Sequence, residues 1–152
     1  MFKHCWVWGW ALSAMLIAQG AMAFPCFVTI SKDTCWTNYV VTLDVVDAET
    51  NTILTTIVIP KGEPWSRGRF DAKKNHHLMI KAKFKPAFWK SEVGKVYNSE
   101  RYWILPDVKN ETVALHVSAC FPDNFSEVPF PPDGGSNCAC PKKAIPHAKD
   151  LN

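Results

Sequence analysis

Residues 36–47 read WTNYVVTLDVVD, and within them Tyr39, Val41, Leu43 and Val45 alternate with Val40, Thr42, Asp44 and Val46. A period of two in β-branched and aromatic residues marks a strand with one face for a core and the other half covered. Ala48-Glu49-Thr50-Asn51 breaks the alternation with turn chemistry and Ile53 to Ile59 resumes it, so the two runs are expected to form a hairpin. Pro60-Lys61-Gly62-Glu63-Pro64 ends the second run.

Two further runs carry the same period. His77 to Lys85 sets Leu78, Ile80, Ala82 and Phe84 against Met79, Lys81, Lys83 and Lys85, and Thr112 to Cys120 repeats the pattern through Val113, Leu115, Val117 and Ala119. The lysines read as a solvated face that keeps a strand from aggregating. The best helix candidate, Pro86 to Lys95, opens on proline and is interrupted by Gly94, so at most a short turn of helix is expected there. Short strands about ten residues apart, with turn signals between them, favour an antiparallel sandwich or barrel over a parallel sheet. The run of strand, Ala48–Asn51 turn, strand and Pro60-Lys61-Gly62 resembles immunoglobulin-like or transthyretin-like sandwiches, a pattern that implies a fold and no activity. The expected fold is all-β: a single antiparallel β-sandwich over residues 24–120, then an irregular proline-rich tail over residues 121–152.

Residues 1–23 have the parts of a secretory leader. Lys3 and His4 form a basic start, Cys5 to Ala18 carries no charge, and Ala21-Met22-Ala23 is a small-x-small cleavage site that would leave Phe24 first. The apolar run is too short to span a hydrocarbon core of about 30 Å, and no later segment is apolar for long enough, so no transmembrane segment is expected. Peripheral association with a membrane is left open. Cys26 lies near the cut, but Phe24-Pro25 stand where lipid modification wants small residues, so ordinary cleavage is expected. The sequence places the protein outside the cytoplasm: periplasmic or outer-membrane-associated in a bacterium, otherwise secreted. Two sequons, at Asn110 and Asn124, would be glycosylated only in a eukaryotic secretory pathway.

The formal charge of the chain is +3 and no long basic block is present, which argues against nucleic acid as a partner. Six cysteines occur in the sequence, and removal of the leader with Cys5 leaves Cys26, Cys35, Cys120, Cys138 and Cys140. In an exported chain their default role is cross-linking, and an odd number leaves one sulfur outside any intramolecular pair. A bridge between strand ends from Cys35 to Cys120 is reasonable, with Cys26 reaching to Cys138 or Cys140 and the spare thiol in the Cys138-Ala139-Cys140 motif; spacing alone does not choose. That motif could serve redox exchange or a metal, but it lacks the two intervening residues of a thioredoxin-type site and no helix follows it. His76 and His77 would point to opposite faces of a strand, and His116 opposite the apolar series, so no metal site is assigned.

No nucleophile elbow, phosphate-binding glycine loop or zinc-protease motif is present, and Glu92, Glu100, Asp107 and Glu111 are scattered through turns. The expectation is a protein that is not an enzyme, with no catalytic residue and no cofactor. From Phe121 onward prolines and glycines cluster and periodicity disappears, yet Phe121, Phe125, Val128 and Phe130 argue that the tail covers apolar surface on the domain or on a partner. Aromatic residues also concentrate in FWKSEVGKVYNSERYWILP, residues 88–106. Trp and Tyr combine contact area with a polar handle, which suits an interface or the floor of a sugar site, although in a small sandwich tryptophans are first of all core. The interaction candidates are Trp89, Tyr97, Tyr102, Trp103, Phe125 and Phe130.

These features fit an exported structural or interaction protein of the cell envelope that works with other envelope proteins. A carbohydrate- or ligand-binding module is the alternative, and a secreted effector or inhibitor a further one. At KDTCWTNY (residues 32–39), FWKSEVGKVYNSERYWILP and NCACPKKAIP (residues 137–146) the chain resembles small exported proteins that accompany bacterial type IVB, Dot/Icm-like, secretion machines. The resemblance implies an accessory subunit of a periplasmic or outer-membrane assembly with no catalysis of its own, and it maps no functional residue.

Overall fold

The computed structural model describes residues 23–107, 109 and 114–141. Residues 1–22 of the expected leader and the sequon at Asn110 lie outside them. Eight strands follow in order: β1 (Phe24–Lys32), β2 (Val40–Asp47), β3 (Ile53–Ile59), β4 (Trp65–Ala72), β5 (His77–Lys85), β6 (Tyr97–Asn98), β7 (Trp103–Ile104) and β8 (Leu115–Phe121). One sheet has the order β4-β1-β8; the other has β3-β2-β5-β6, with β7 also paired to β5. The result is the expected all-β sandwich.

The alternation that predicts β2 is realised residue by residue. Val41, Leu43 and Val45 are fully buried, as are Leu78, Ile80 and Ala82 on β5, against which β2 lies antiparallel from Val40↔Lys85 to Asp47↔Leu78. Each of these Val, Leu and Ile side chains contributes roughly 1.5–3 kcal/mol when it leaves water, and the Ala82 methyl less. The expected hairpin joins β2 to β3, with Asn51 at φ 57° in its turn. The candidate helix reduces to a 3₁₀ turn at Lys90–Glu92. Gly94, at φ 75°, then takes the left-handed conformation that turns the chain toward β6.

One pairing departs from an antiparallel pattern. β1 runs parallel to β8, from Cys26↔Leu115 to Lys32↔Phe121, while its other edge is antiparallel to β4. β1 is thus a central strand, and Cys26, Val28 and Ile30 are wholly buried. The two sheets also meet along their margins. At Gly68 on β4 a Cβ would lie 2.7 Å from Cγ1 of Ile57 on β3, so the absence of a side chain permits the contact. On the far side Phe125 bridges to Ser99, Ser126 N–H donates to Asn98 O and Glu100 N–H to Asn124 O, joining the turn after β8 to the segment after β6.

The core is aromatic at one end. Trp36 packs edge-on against Phe84 and Phe121, with ring centroids 4.8 and 4.7 Å away, and tilted against Tyr39 at 5.2 Å. Phe84 in turn stacks on Phe88 and Tyr97. Offset and edge-to-face geometries of this kind add about 0.5–1.5 kcal/mol per pair beyond burial.

Candidate functional site

The six aromatic candidates divide into core and surface. Tyr97 and Phe125 are 2% and 4% exposed, so both are corrected from contact surface to core: Tyr97 stacks on Phe84 and Phe125 packs on Phe121. Trp103 is half-buried against the core beneath the Arg101 guanidinium, 5.1 Å from its ring. Trp89, Tyr102 and Phe130 stand exposed, together with Ile104 and Val93. They do not form one platform. Trp89 belongs to the loop that leaves β5 at Lys85, whereas Tyr102 precedes Trp103, which pairs with Leu78 at the opposite end of β5. The ring of Phe130 lies over Gly134, where a Cβ would come within 2.7 Å of it.

The cysteines build a clasp that differs from the expected pairing. Cys35 is bonded to Cys138 and Cys120 to Cys140, and among the described residues the unpaired sulfur is Cys26, buried. The Cys35–Cys120 bridge, the bridge from Cys26 to the tail and the spare thiol in the Cys138-Ala139-Cys140 motif are thereby corrected. Parallel pairing of β1 with β8 explains the change. It brings Phe121 beside Lys32 and so gathers Cys35 and Cys120 at one end of the sheet, where the tail runs up to both. Cys26 sits six residues back along β1, roughly 20 Å at strand rise, opposite Phe70 and Leu115. Burial pushes its thiol up to about 11.

Backbone bonds hold the tail at the clasp. Thr34 N–H donates to Ala139 O at 3.1 Å, Ala139 N–H donates back to Thr34 Oγ1, and Asp33 N–H donates to Phe121 O at 2.8 Å. Tyr39 and Asn38 both donate to Asp133. Asp33 caps a separate 3₁₀ turn, Thr34–Trp36, by accepting from Cys35 N–H at 2.6 Å. Burial holds the Asp33 carboxyl above its ordinary value, the Cys35 N–H opposes this, and the charge of Asp123 adds to it. Ligand atoms of Asp33, Cys35 and Cys138, and likewise of Cys120, Asp123 and Cys140, lie within 4.8 Å of one another. In the bridged state those sulfurs are bonded to each other and lack the thiolate charge a metal requires. The motif here is a cross-link.

A cleft of about 570 Å³ opens beside the clasp end of β5. Val40, Phe84 and Pro86 supply apolar lining, Lys83, Lys85 and Lys95 supply positive charge, and Val93 and Gly94 belong to the loop wall. Glu92 also lines it; its side chain is 8% exposed, Lys95 Nζ stands 3.7 Å from Oε1, and Oε2 has no hydrogen-bond partner among the described residues. Sequence reading placed Lys83 and Lys85 on a solvated face and Glu92 in a loop; only the folding of residues 86–96 back over the strand brings them together.

The three histidine candidates make contacts within the fold. His76 Nε2 lies 3.2 Å from Asp47, His77 Nδ1 lies 3.5 Å from Glu49, and His116 stacks on Phe27. Burial opposes ionisation of Asp47, but N–H donors of Glu49 and Thr50, together with His76, outweigh it and hold the carboxyl below its ordinary value. Lys32, 2% exposed, had no sequence signal. Its ammonium donates to Tyr39 O and Pro60 O at 2.8 Å each, and burial lowers its pKa while the charge of Glu63 opposes that shift. Among the described residues no helix is long and apolar enough to cross a membrane. No protein-family model matches the chain, and no curated protein is significantly similar to it.

Proposed function

We propose that this chain is an exported, non-catalytic interaction subunit of a cell-envelope assembly, such as a periplasmic or outer-membrane-associated accessory component of a secretion machine. The observation that carries the reading is the division of the aromatic side chains. One set is consumed by the core, while Trp89, Tyr102 and Phe130 stay more than half exposed on a scaffold closed by two disulfides. Large aromatic groups kept in water on a rigid frame are the usual anchors of an interface. Two bridges accord with an oxidising compartment, as the leader also suggests. A carbohydrate platform is less well supported, because stacking on sugars wants coplanar rings. Trp89 instead stands at 85° to Phe88, and Tyr102 lies at the other end of β5.

The experiment is fractionation of the native organism followed by site-specific photo-crosslinking from positions 89, 102 and 130. The expected result is recovery in the envelope fraction with crosslinks to defined envelope proteins. Recovery from the cytoplasm, or as an uncrosslinked monomer from all three positions, overturns the reading.

A further inference from the structure

The cleft at the end of β5 is also an unfinished sheet edge. Ser99 N–H donates to Ile80 O and Ile80 N–H to Ser99 Oγ, so the peptide groups of Ile80 face β6. With a period of two, those of Ala82 and Phe84 face the same way. Ala82 is met there by Tyr97, whereas β6 ends its pairing at that point, and no strand among the described residues pairs with Phe84 on that side. Among the described residues the strand is therefore paired over Lys83–Lys85 with β2 alone.

We propose that this edge receives an extended, acidic segment of a partner protein, added as a short strand beside Lys83–Lys85 within the cleft. The inference rests on the interaction-subunit reading and names the partner's chemistry. Three features select that occupant. The edge offers the peptide groups that strand addition uses. Lys83, Lys85 and Lys95 line the cleft, so acidic side chains at alternate positions of the incoming segment find counter-charges on the lysine face while the intervening apolar ones fall on the face of Phe84. The Glu92 side chain is enclosed, its Oε2 has no hydrogen-bond partner among the described residues, and a peptide N–H supplies the missing donor. A fatty-acid-like anion would meet the lysines but would place no donor on Glu92.

The test uses the full mature chain, isotopically labelled, titrated with acetyl-Glu-Val-Glu-Val-Glu-Val amide and with the matching Lys-Val peptide. Expected are saturable shifts at Lys83–Lys85 and Gly94–Lys95 with the acidic peptide only, slowed hydrogen exchange at the Phe84 amide, and roughly tenfold or greater loss in Lys83→Glu/Lys85→Glu. Val93→Glu, a change at an exposed position, should weaken binding without perturbing the fold, and unchanged disulfides and melting midpoint verify folding of each variant. Equal response to both peptides, shifts confined elsewhere, or no binding at all overturns the proposal. Crosslinking from position 89 in the Lys83→Glu/Lys85→Glu background separates the two readings. Retained crosslinks leave the interaction subunit standing and remove the cleft, whereas a wild-type chain without crosslinks from positions 89, 102 and 130 alike removes the broader reading itself.

Discussion

The phenolic hydroxyl of Tyr39 donates a 2.7 Å hydrogen bond to the carboxylate of Asp133, 94 positions further along the chain. Burial pushes the Tyr39 hydroxyl up to about 12, with the bond to Asp133 and its charge adding to the shift. Conversely, the Tyr39 hydroxyl and then the Asn38 amide hold the Asp133 carboxyl below its ordinary value. The folded chain therefore favours a neutral tyrosine and an ionised aspartate. The Asp133 contribution is present above the unfolded carboxyl pKa of about 4 and lost as pH falls through the lower folded value; the Tyr39 contribution is present below about 10 and lost as pH rises beyond it. Tyr39→Phe should be less stable than wild type near pH 7 by about 1 kcal/mol, with the gap in denaturant melts narrowing at both extremes. A gap independent of pH would show that the pair does not tether the tail.

The two bridges should contribute unequally. Cys35–Cys138 spans 103 positions and Cys120–Cys140 spans 20. On the chain-entropy account, removing the first with paired serines costs about 4–5 kcal/mol and removing the second about 3. Denaturant melts of the two double variants measure the order, and an inverted order would mean that native contacts rather than loop closure set the cost. Asp33 and Asp123 beside the sulfurs should also slow exchange with anionic thiols relative to a neutral phosphine reductant.

Cys26 should be chemically silent in the folded protein. It is fully buried and its thiol is held protonated by that burial. Iodoacetamide at pH 8 is expected to leave it unmodified until denaturant is added, after which peptide mapping places the label at Cys26 and at none of the bridged positions. Cys26→Ser should cost about 1–3 kcal/mol through a buried hydroxyl. Rapid labelling of the native chain at Cys26 would contradict the central placement of β1.

Gly68 and Ile57 should be energetically coupled. Gly68→Ala puts a methyl group into Ile57 Cγ1 at 2.7 Å, and Ile57 is buried, so roughly 1–3 kcal/mol of destabilisation is expected. Combining it with Ile57→Ala, which vacates that space, should cost less than the sum of the two single changes. Strict additivity would mean that the margins of β3 and β4 separate to admit the methyl.

Much of the second sheet was legible because β2, β3 and β5 carry the alternation of a strand with one buried and one wetter face. β1 was not, because a strand paired on both edges and buried along most of its length, FPCFVTISK, blurs the period of two, and it adjoins the apolar leader. β4 was hidden by Arg67, Gly68 and Arg69 in its centre. The disulfide partners were beyond reach of spacing, since they depend on a parallel neighbour found only across 89 positions, Cys26↔Leu115. One signal did exist: in Cys138-Ala139-Cys140 an extended backbone projects both sulfurs from one side, so the motif can serve two anchors at once. For the cleft, the lysines of β5 were visible and the loop that roofs them was not.

The parallel partnership of β1 with β8 imposes an order of assembly. A chain emerging N-terminus first holds its central strand without a neighbour until β4 is out, and without its second neighbour until residues 115–121 follow. The clasp is later still, because both sulfurs that close it lie beyond residue 137. Such a polypeptide cannot be locked at this end of the sandwich before residues 138–140 have reached Cys35 and Cys120.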